Sequence, residues 1–193
     1  MDKAAVLQGI AQNVDANLRM LGQDTNREGL SDTPMRHAKY LWEFLTPEEP
    51  FKFTDFESEG ATGVLLKCDI DFFSLCEHHL LPFFGVAHVA YIPGAKSRIV
   101  GISKLPRCVR HFSRRLQNQE RLTMQIAKCL SEELNTESVG VQLIGRHLCE
   151  EMRGIESIGS KTITTHLIGA FKNDPITRQE YLSQIQTHSK KVV

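Results

Sequence analysis

Residues 63–92 read GVLLKCDIDFFSLCEHHLLPFFGVAHVAYI. From Gly63 to Leu75 the stretch is rich in Val, Leu, Ile and Phe, with Lys67, Asp69 and Asp71 at alternate positions. That pattern predicts a strand with those three side chains facing outward. Val86 to Ile92 predicts a second strand, which Pro93-Gly94 ends. Between them lies Cys76-Glu77-His78-His79. Two strands joined through this turn form a hairpin that holds Cys76 and His79 at its closed end.

Two soft ligands three residues apart arise by chance, but a second cluster follows at His147-Leu148-Cys149. If this stretch is a strand, His147 and Cys149 share a face. Folding the segments together would give Cys76, His79 and Cys149 to one tetrahedral ion. Three protein ligands and one open position are what a catalytic zinc requires. His78 and His147 would then stand beside it as proton carriers. Core cysteines and ordinary histidines are the competing reading, and the spacing favours the metal.

Working outward toward the N-terminus, Leu7, Ile10, Ala11, Val14, Leu18 and Leu21 recur at helical spacing, with Gly22 as a stop. A second helix is predicted from Thr33 as N-cap and Pro34 as first helical residue, burying Met35, Ala38, Leu41, Trp42 and Leu45. Arg36 and Lys39 share another face, which the spacing alone reads as a solvated basic edge. Pro47 and Pro50 close this part in a Glu-rich loop. Residues 1–50 are therefore expected to form an N-terminal helical arm, and 51–193 the main domain.

Toward the C-terminus, Ser103 is a natural N-cap and Pro106 is tolerable in a first turn. Leu105, Cys108, Val109, Phe112 and Leu116 then form an amphipathic stripe. A helix start flanked by Lys104 and Arg107 fits a phosphate site, and equally a capped surface helix with a basic first turn. A further helix is expected from about Arg121 to Leu134, with Leu122, Ile126, Cys129 and Leu130 inward and Asn135 at its end. Cys108 and Cys129 read as core residues. Ser138 to Leu148 predicts a third strand and Thr162 to Ile168 a fourth. Asp174-Pro175 starts a C-terminal helix, and Lys190-Lys191 is a frayed end.

Composition bounds the function. The 193 residues carry 23 basic and 23 acidic side chains and 41% hydrophobic residues, so no general charge bias points to nucleic acid or anionic membrane. Five cysteines are an odd number and do not suggest a disulfide framework. A reducing, cytoplasmic setting is expected. No leader-like or membrane-spanning run is read. Short connections between consecutive strands predict an α+β fold: a four-stranded antiparallel sheet with helices on one face and two open edges.

Several stretches together resemble GTP cyclohydrolase I: residues 27–36 (REGLSDTPMR), 74–85 (SLCEHHLLPFFG), 101–107 (GISKLPR), 119–123 (QERLT) and 147–154 (HLCEEMRG). The resemblance runs from about Arg27 to Phe171. It implies the tunnelling fold, in which sheets of several subunits join into a barrel and rings stack into a homodecamer with active sites between subunits. It implies zinc at Cys76, His79 and Cys149, acid–base roles for His78 and His147, and guanine recognition by Gln119 and Glu120; His78 and Ser103 are the candidates for the later proton transfers of the implied reaction. Ser103, Lys104, Arg107 and Arg153 match a triphosphate cradle, and Arg36 and Lys39 match basic residues lent by a neighbouring subunit. The implied reaction is hydrolysis of GTP at guanine C8, with release of formate and rearrangement to 7,8-dihydroneopterin triphosphate. That is a step of pterin and tetrahydrofolate synthesis within one-carbon metabolism.

Three departures from the family pattern stand out: Val86, Asn118, and the pair Glu150 and Glu151. The first and third lower local positive charge, which bears on triphosphate affinity. Two rivals stand beside this reading. A nitrile-reducing tunnelling-fold relative needs a cysteine nucleophile and a nicotinamide site, and has no zinc triad. A zinc-stapled, non-enzymatic oligomeric module needs a closed site, with His78 as the available fourth ligand.

Overall fold

The helical spacing of the first 21 residues becomes α1 (Lys3–Met20), whose start is fixed by the Asp2 carboxylate accepting from the Ala4 N–H at 3.0 Å. The computed structural model describes residues 2–46, 52–57, 60, 62–94 and 98–189. The expected loop around Pro47 and Pro50 and the Lys190-Lys191 end lie outside them. The chain divides into two units, Met1–Pro47 and Glu48–Val193. In the first, α1 packs on α2 (Thr33–Leu45). The cap of α2 falls on Asp32, one residue earlier than expected. The Asp32 side chain makes no cap bond and instead pairs with Arg36 at 3.1 Å. Ala11 and Ala38 are buried, and the other residues of the expected stripes are half-buried apart from Leu21, which is exposed beyond the helix end.

The second unit opens with β1 (Asp55–Glu57), then the hairpin β2 (Leu65–Cys76) and β3 (Pro82–Tyr91), then β4 (Arg98–Val100), which pairs with β1. After α3 (Lys104–Ser113) come β5 (Leu116–Gln117) and α4 (Gln119–Glu133). The chain finishes with β6 (Val139–His147), α5 (Leu148–Glu151), β7 (Thr162–Ile168), α6 (Ala170–Asn173) and α7 (Pro175–His188). The sheet order is β5-β2-β3-β6-β7. The expected four antiparallel strands are present, and β5 adds a two-residue parallel strand against Leu75 and Cys76.

One face of the sheet packs against α3 and α4. Phe72, Phe83, Val89, Val141 and Leu143 meet Leu105, Cys108, Val109, Leu122, Ile126 and Leu130 in a single cluster. Burying each of the three α4 residues contributes about 2 kcal/mol, against about 1 kcal/mol for a good N-cap. Docking therefore holds α4, while the Asn118 side chain, accepting from the Arg121 N–H at 2.8 Å, sets where it begins. Leu116 does not extend the α3 stripe: the helix stops at Ser113, and Leu116 lies exposed in β5.

The other face is not bare. Phe171, Tyr181 and Ile185 from α6 and α7 pack over Ala90, Leu66 and Leu167. The outward alternation expected for Lys67, Asp69 and Asp71 is also broken. Between Lys67 and Ile70 the β2–β3 register gains one residue, and Asp69 adopts φ +54°. This β-bulge lets Leu65 and Ile70 reach the same core despite their odd spacing. Only Asp71 keeps full exposure.

Candidate functional site

The turn after β2 closes on the backbone of Cys76. Its N–H donates to the Leu81 carbonyl at 2.9 Å, and its carbonyl accepts from Leu80 at 2.8 Å and His79 at 3.3 Å. Leu80 takes the left-handed conformation, φ +56°, to complete the turn. Parallel β5 fixes the turn sideways, with the Glu77 N–H donating to the Gln117 carbonyl at 3.0 Å. From the other side, β6 runs antiparallel to β3 and ends at His147, opposite Phe83. Cys149 is not on that strand. One turn of helix, α5, carries it inward, so it joins His147 by a backbone bend rather than by strand alternation.

Cys76, His79 and Cys149 converge, each offering a ligand atom within 4.8 Å of the others. Sulfur and nitrogen on one tetrahedral zinc stand about 3.6 Å apart, and Cys76 Sγ and His79 Nδ1 are separated by 3.7 Å. Burial raises the Cys149 thiol, and the facing Cys76 sulfur raises it further, while Arg153 opposes both. A divalent cation between the sulfurs removes that mutual repulsion, so the donor set fits zinc in both spacing and charge. His78 Nδ1 also lies 3.7 Å from Cys76 Sγ. Its side chain is 65% exposed and stays outside the three-ligand set.

His147 stacks flat on Phe83, with centroids 4.7 Å apart and planes 3° apart. Its Nε2 lies 2.8 Å from Gln119 Oε1. Burial holds its pKa below the ordinary histidine value, with Glu150, Glu120 and Glu151 acting in the opposite direction. Gln119, matched by resemblance to guanine recognition, is turned inward: it is buried, and its amide nitrogen lies against Leu143 O, Thr162 O and Thr164 Oγ1.

Glu120 does face outward, into a cavity of about 550 Å³ that Asn118, Thr123, Thr164 and His166 also line. A carboxylate there can accept two hydrogen bonds at once. Ser103, Lys104 and Arg107 gather at the first turn of α3, where Ser103 holds the N-cap position without a side-chain cap bond. Ser103 is exposed. Arg153 Nη1 donates to the Cys149 carbonyl at 2.9 Å, which sets a cation beside the ligand cluster. Arg36 and Lys39 are exposed on α2, in the other unit.

Among the departures, Val86 is buried in the sheet. Glu151 is matched by Arg146 through contacts of 2.9 and 2.6 Å, and Glu150 accepts from Ser160 at 3.2 Å. The charge of Glu151 is therefore compensated locally. Residues to which the sequence assigned no role in the site tie it together. Arg121 Nη2 donates to Glu77 Oε2 at 2.5 Å, Asn118 Nδ2 donates to Glu77 Oε1 at 3.2 Å, and Arg121 Nε donates to Gln117 Oε1 at 2.9 Å. The Arg121 guanidinium holds the Glu77 carboxyl below its usual range. This brace connects the ligand turn to the helix that carries Gln119 and Glu120. The one signal for it in the sequence is the acidic residue inside a metal-ligand turn, which demands a partner.

Comparison with known proteins places these features. Residues 10–186 match the family model described as GTP cyclohydrolase I. The chain is 52% identical over 184 residues to GTP cyclohydrolase 1 of Streptococcus suis, covering 94% of this chain and 97% of that protein. It is 49% identical over 181 residues to the Leptospira biflexa protein of that name, covering 91% and 97%. It is 48% identical over 180 residues to the one from Campylobacter jejuni, covering 90% and 93%.

Proposed function

The chain belongs to the GTP cyclohydrolase I family, and from that premise we propose that it hydrolyses GTP at guanine C8, releases formate and yields 7,8-dihydroneopterin triphosphate. The observation that carries the proposal is the convergence of Cys76, His79 and Cys149 beside His147. Cys76, His79 and Cys149 would hold zinc, whose Lewis acidity makes water a usable nucleophile at neutral pH.

The rest falls to the protein's own side chains. Glu120 accepts from guanine N1–H and the 2-amino group, a donor pair that adenine lacks. Lys104, Arg107 and Arg153, with Arg36 and Lys39 from a neighbouring subunit, neutralise the triphosphate, aided by the free amides at the start of α3. Guanine C8 is a poor electrophile until N7 carries a proton, and His147 supplies it. Water adds at C8, the five-membered ring opens to a formamide, and a second water releases formate. The ribose opens and rearranges, and its closure onto the freed amine returns one water. His78 and Ser103 carry protons in these later steps.

The sheet ends in β7 on one side, and on the other β5 covers only the end of β2. Such edges suit pairing between subunits into the homodecameric barrel of the family. No described helix is long and apolar enough to cross a membrane, and a cytosolic enzyme of pterin and tetrahydrofolate synthesis is the reading proposed. The rival zinc-stapled module is tested by the same assay. Purified protein with zinc and GTP alone should release one formate per GTP and form a pterin that fluoresces after oxidation, with no effect of added nicotinamide nucleotide. Guanosine should be a far poorer substrate than GTP, and turnover should fall with rising salt. Protein that binds zinc yet leaves GTP intact across neutral pH would return the reading to the module.

A further inference from the structure

The hydrogen bonds around Gln119 determine which of its side-chain atoms faces His147. The amide nitrogen lies 2.9 Å from Thr162 O and 3.3 Å from Leu143 O. Carbonyl oxygens only accept, so a flipped amide would set oxygen against oxygen twice in a buried place. The third neighbour agrees. Thr123 Oγ1 donates to the Gln119 backbone carbonyl at 2.7 Å, so its 2.6 Å contact with Thr164 Oγ1 is donated by Thr164. That leaves a lone pair on Thr164 Oγ1 for the amide nitrogen at 3.1 Å.

Oε1 therefore points to His147. It carries no hydrogen, so the 2.8 Å contact must be donated by His147 Nε2–H. Gly145 makes room for this arrangement: a Cβ built at that position would overlap Gln119 Oε1 and touch Phe72. Phe83, parallel to the ring, fixes its plane. A base-reading amide needs a free polar edge, and this one has none to offer.

We propose that Gln119 is a positioning residue for His147 rather than a reader of guanine: with Gly145 and Phe83 it fixes the imidazole as the Nε2–H tautomer and leaves Nδ1 as the nitrogen available to substrate. In the reaction, the Nδ1–H bond of the imidazolium breaks, the N7–H bond of guanine forms, and the neutral ring is left as that same tautomer. The inference rests on the proposed reaction for what receives the proton, and on the geometry alone for how the ring is held.

Two measurements test it. In zinc-loaded protein carrying 15N-labelled histidine, the His147 signal is assigned by its loss in His147→Asn. It should show one proton bound at Nε2 of the neutral ring in the wild type and a mixture of tautomers in Gln119→Leu. In steady-state kinetics Gln119→Leu should lose about a hundredfold in kcat, with KM for GTP and zinc content within about twofold. Gly145→Ala should move kcat in the same direction without removing any polar group. It keeps the kinetic test open should Gln119→Leu fail to fold. A proton on Nδ1 of the neutral wild-type ring would overturn the proposal. So would a Gln119→Leu protein whose KM rises tenfold or more while kcat holds, since that is the signature of base recognition. Wild-type protein inert toward GTP would sink the proposed reaction, and the wild-type spectrum would still decide how His147 is held.

Discussion

His88 and His147 lie on neighbouring strands of one sheet, and burial lowers the pKa of both. His88 faces the side covered by the C-terminal helix and is fully buried. Both of its nitrogens have partners, the Asp69 N–H at 3.4 Å from Nδ1 and Ser189 Oγ at 3.4 Å from Nε2, and its carbonyl accepts from Tyr181 at 3.2 Å. His147 faces the other side, commits one nitrogen to Gln119, and has Glu120, Glu150 and Glu151 acting on its charge. Residue type and the direction of the pKa shift are shared, although His147 is only half-buried. On the proposed reading, what separates a structural histidine from a proton carrier is one nitrogen with no partner among the described residues, beside the candidate ligand set.

The contrast is broken most severely at the ligands. Cys149→Ala should lose zinc, read by metal analysis, and all formate release, while circular dichroism stays as in the wild type. Full metal occupancy in that protein would mean the ligand set is wrong. Next comes the reagent itself. His147→Ala should keep its zinc and lose formate release by about a thousandfold, and substantial ring opening in that variant would remove His147 from the proton transfer to N7. Glu120→Gln should lower kcat/KM for GTP by about a hundredfold, because an amide cannot accept from two donors as a carboxylate does. Normal GTP kinetics would move guanine recognition elsewhere.

The other histidine gives the smallest effect, and one of a different kind. His88→Gln should lower stability by roughly 1–3 kcal/mol, seen as a lower Tm, while the folded protein keeps its kcat. The pH dependence has a definite sign. Because the folded pKa of His88 is depressed, the unfolded chain takes up the proton more readily. Stability is then fully present above about 6.5, the ordinary value, and declines as pH falls below it until the folded histidine is also protonated. Burial depresses His147 and His166 as well, so His88→Gln should reduce the slope of Tm against pH between 7 and 5 and leave part of it. An unchanged slope would mean that His88 does not titrate differently on folding.

The long elements were legible because each samples its own period several times. The Leu122, Ile126, Leu130 stripe and the Thr162–Ile168 strand needed no tertiary information. The two- to four-residue elements β1, β4, β5, α5 and α6 are too short to display a period, and β5 braces the ligand turn. The ligand trio was readable from residue type, but the strand assumed for Cys149 was wrong, since a helical turn serves the same end. Gln119 could be placed next to the site from its motif. Its direction could not, because that depends on the carbonyls of Leu143 and Thr162, 24 and 43 residues away.

The extra residue in β2 has a consequence far from where it sits. A strand has a reading frame of two, and the insertion between Lys67 and Ile70 sets its phase. Upstream of it the core is reached by odd-numbered Leu65, and downstream by even-numbered Ile70, Phe72 and Cys76. Deleting one residue there is the structural counterpart of a frameshift. One half of the strand must turn over, exchanging Phe72 for Phe73 or moving Leu65 into the place of Leu66, although no side chain at the metal cluster has been altered. On the proposed reading, length at this position therefore matters to the site as the identity of a ligand does, and a change of one residue in the middle of a strand would silence chemistry at its end.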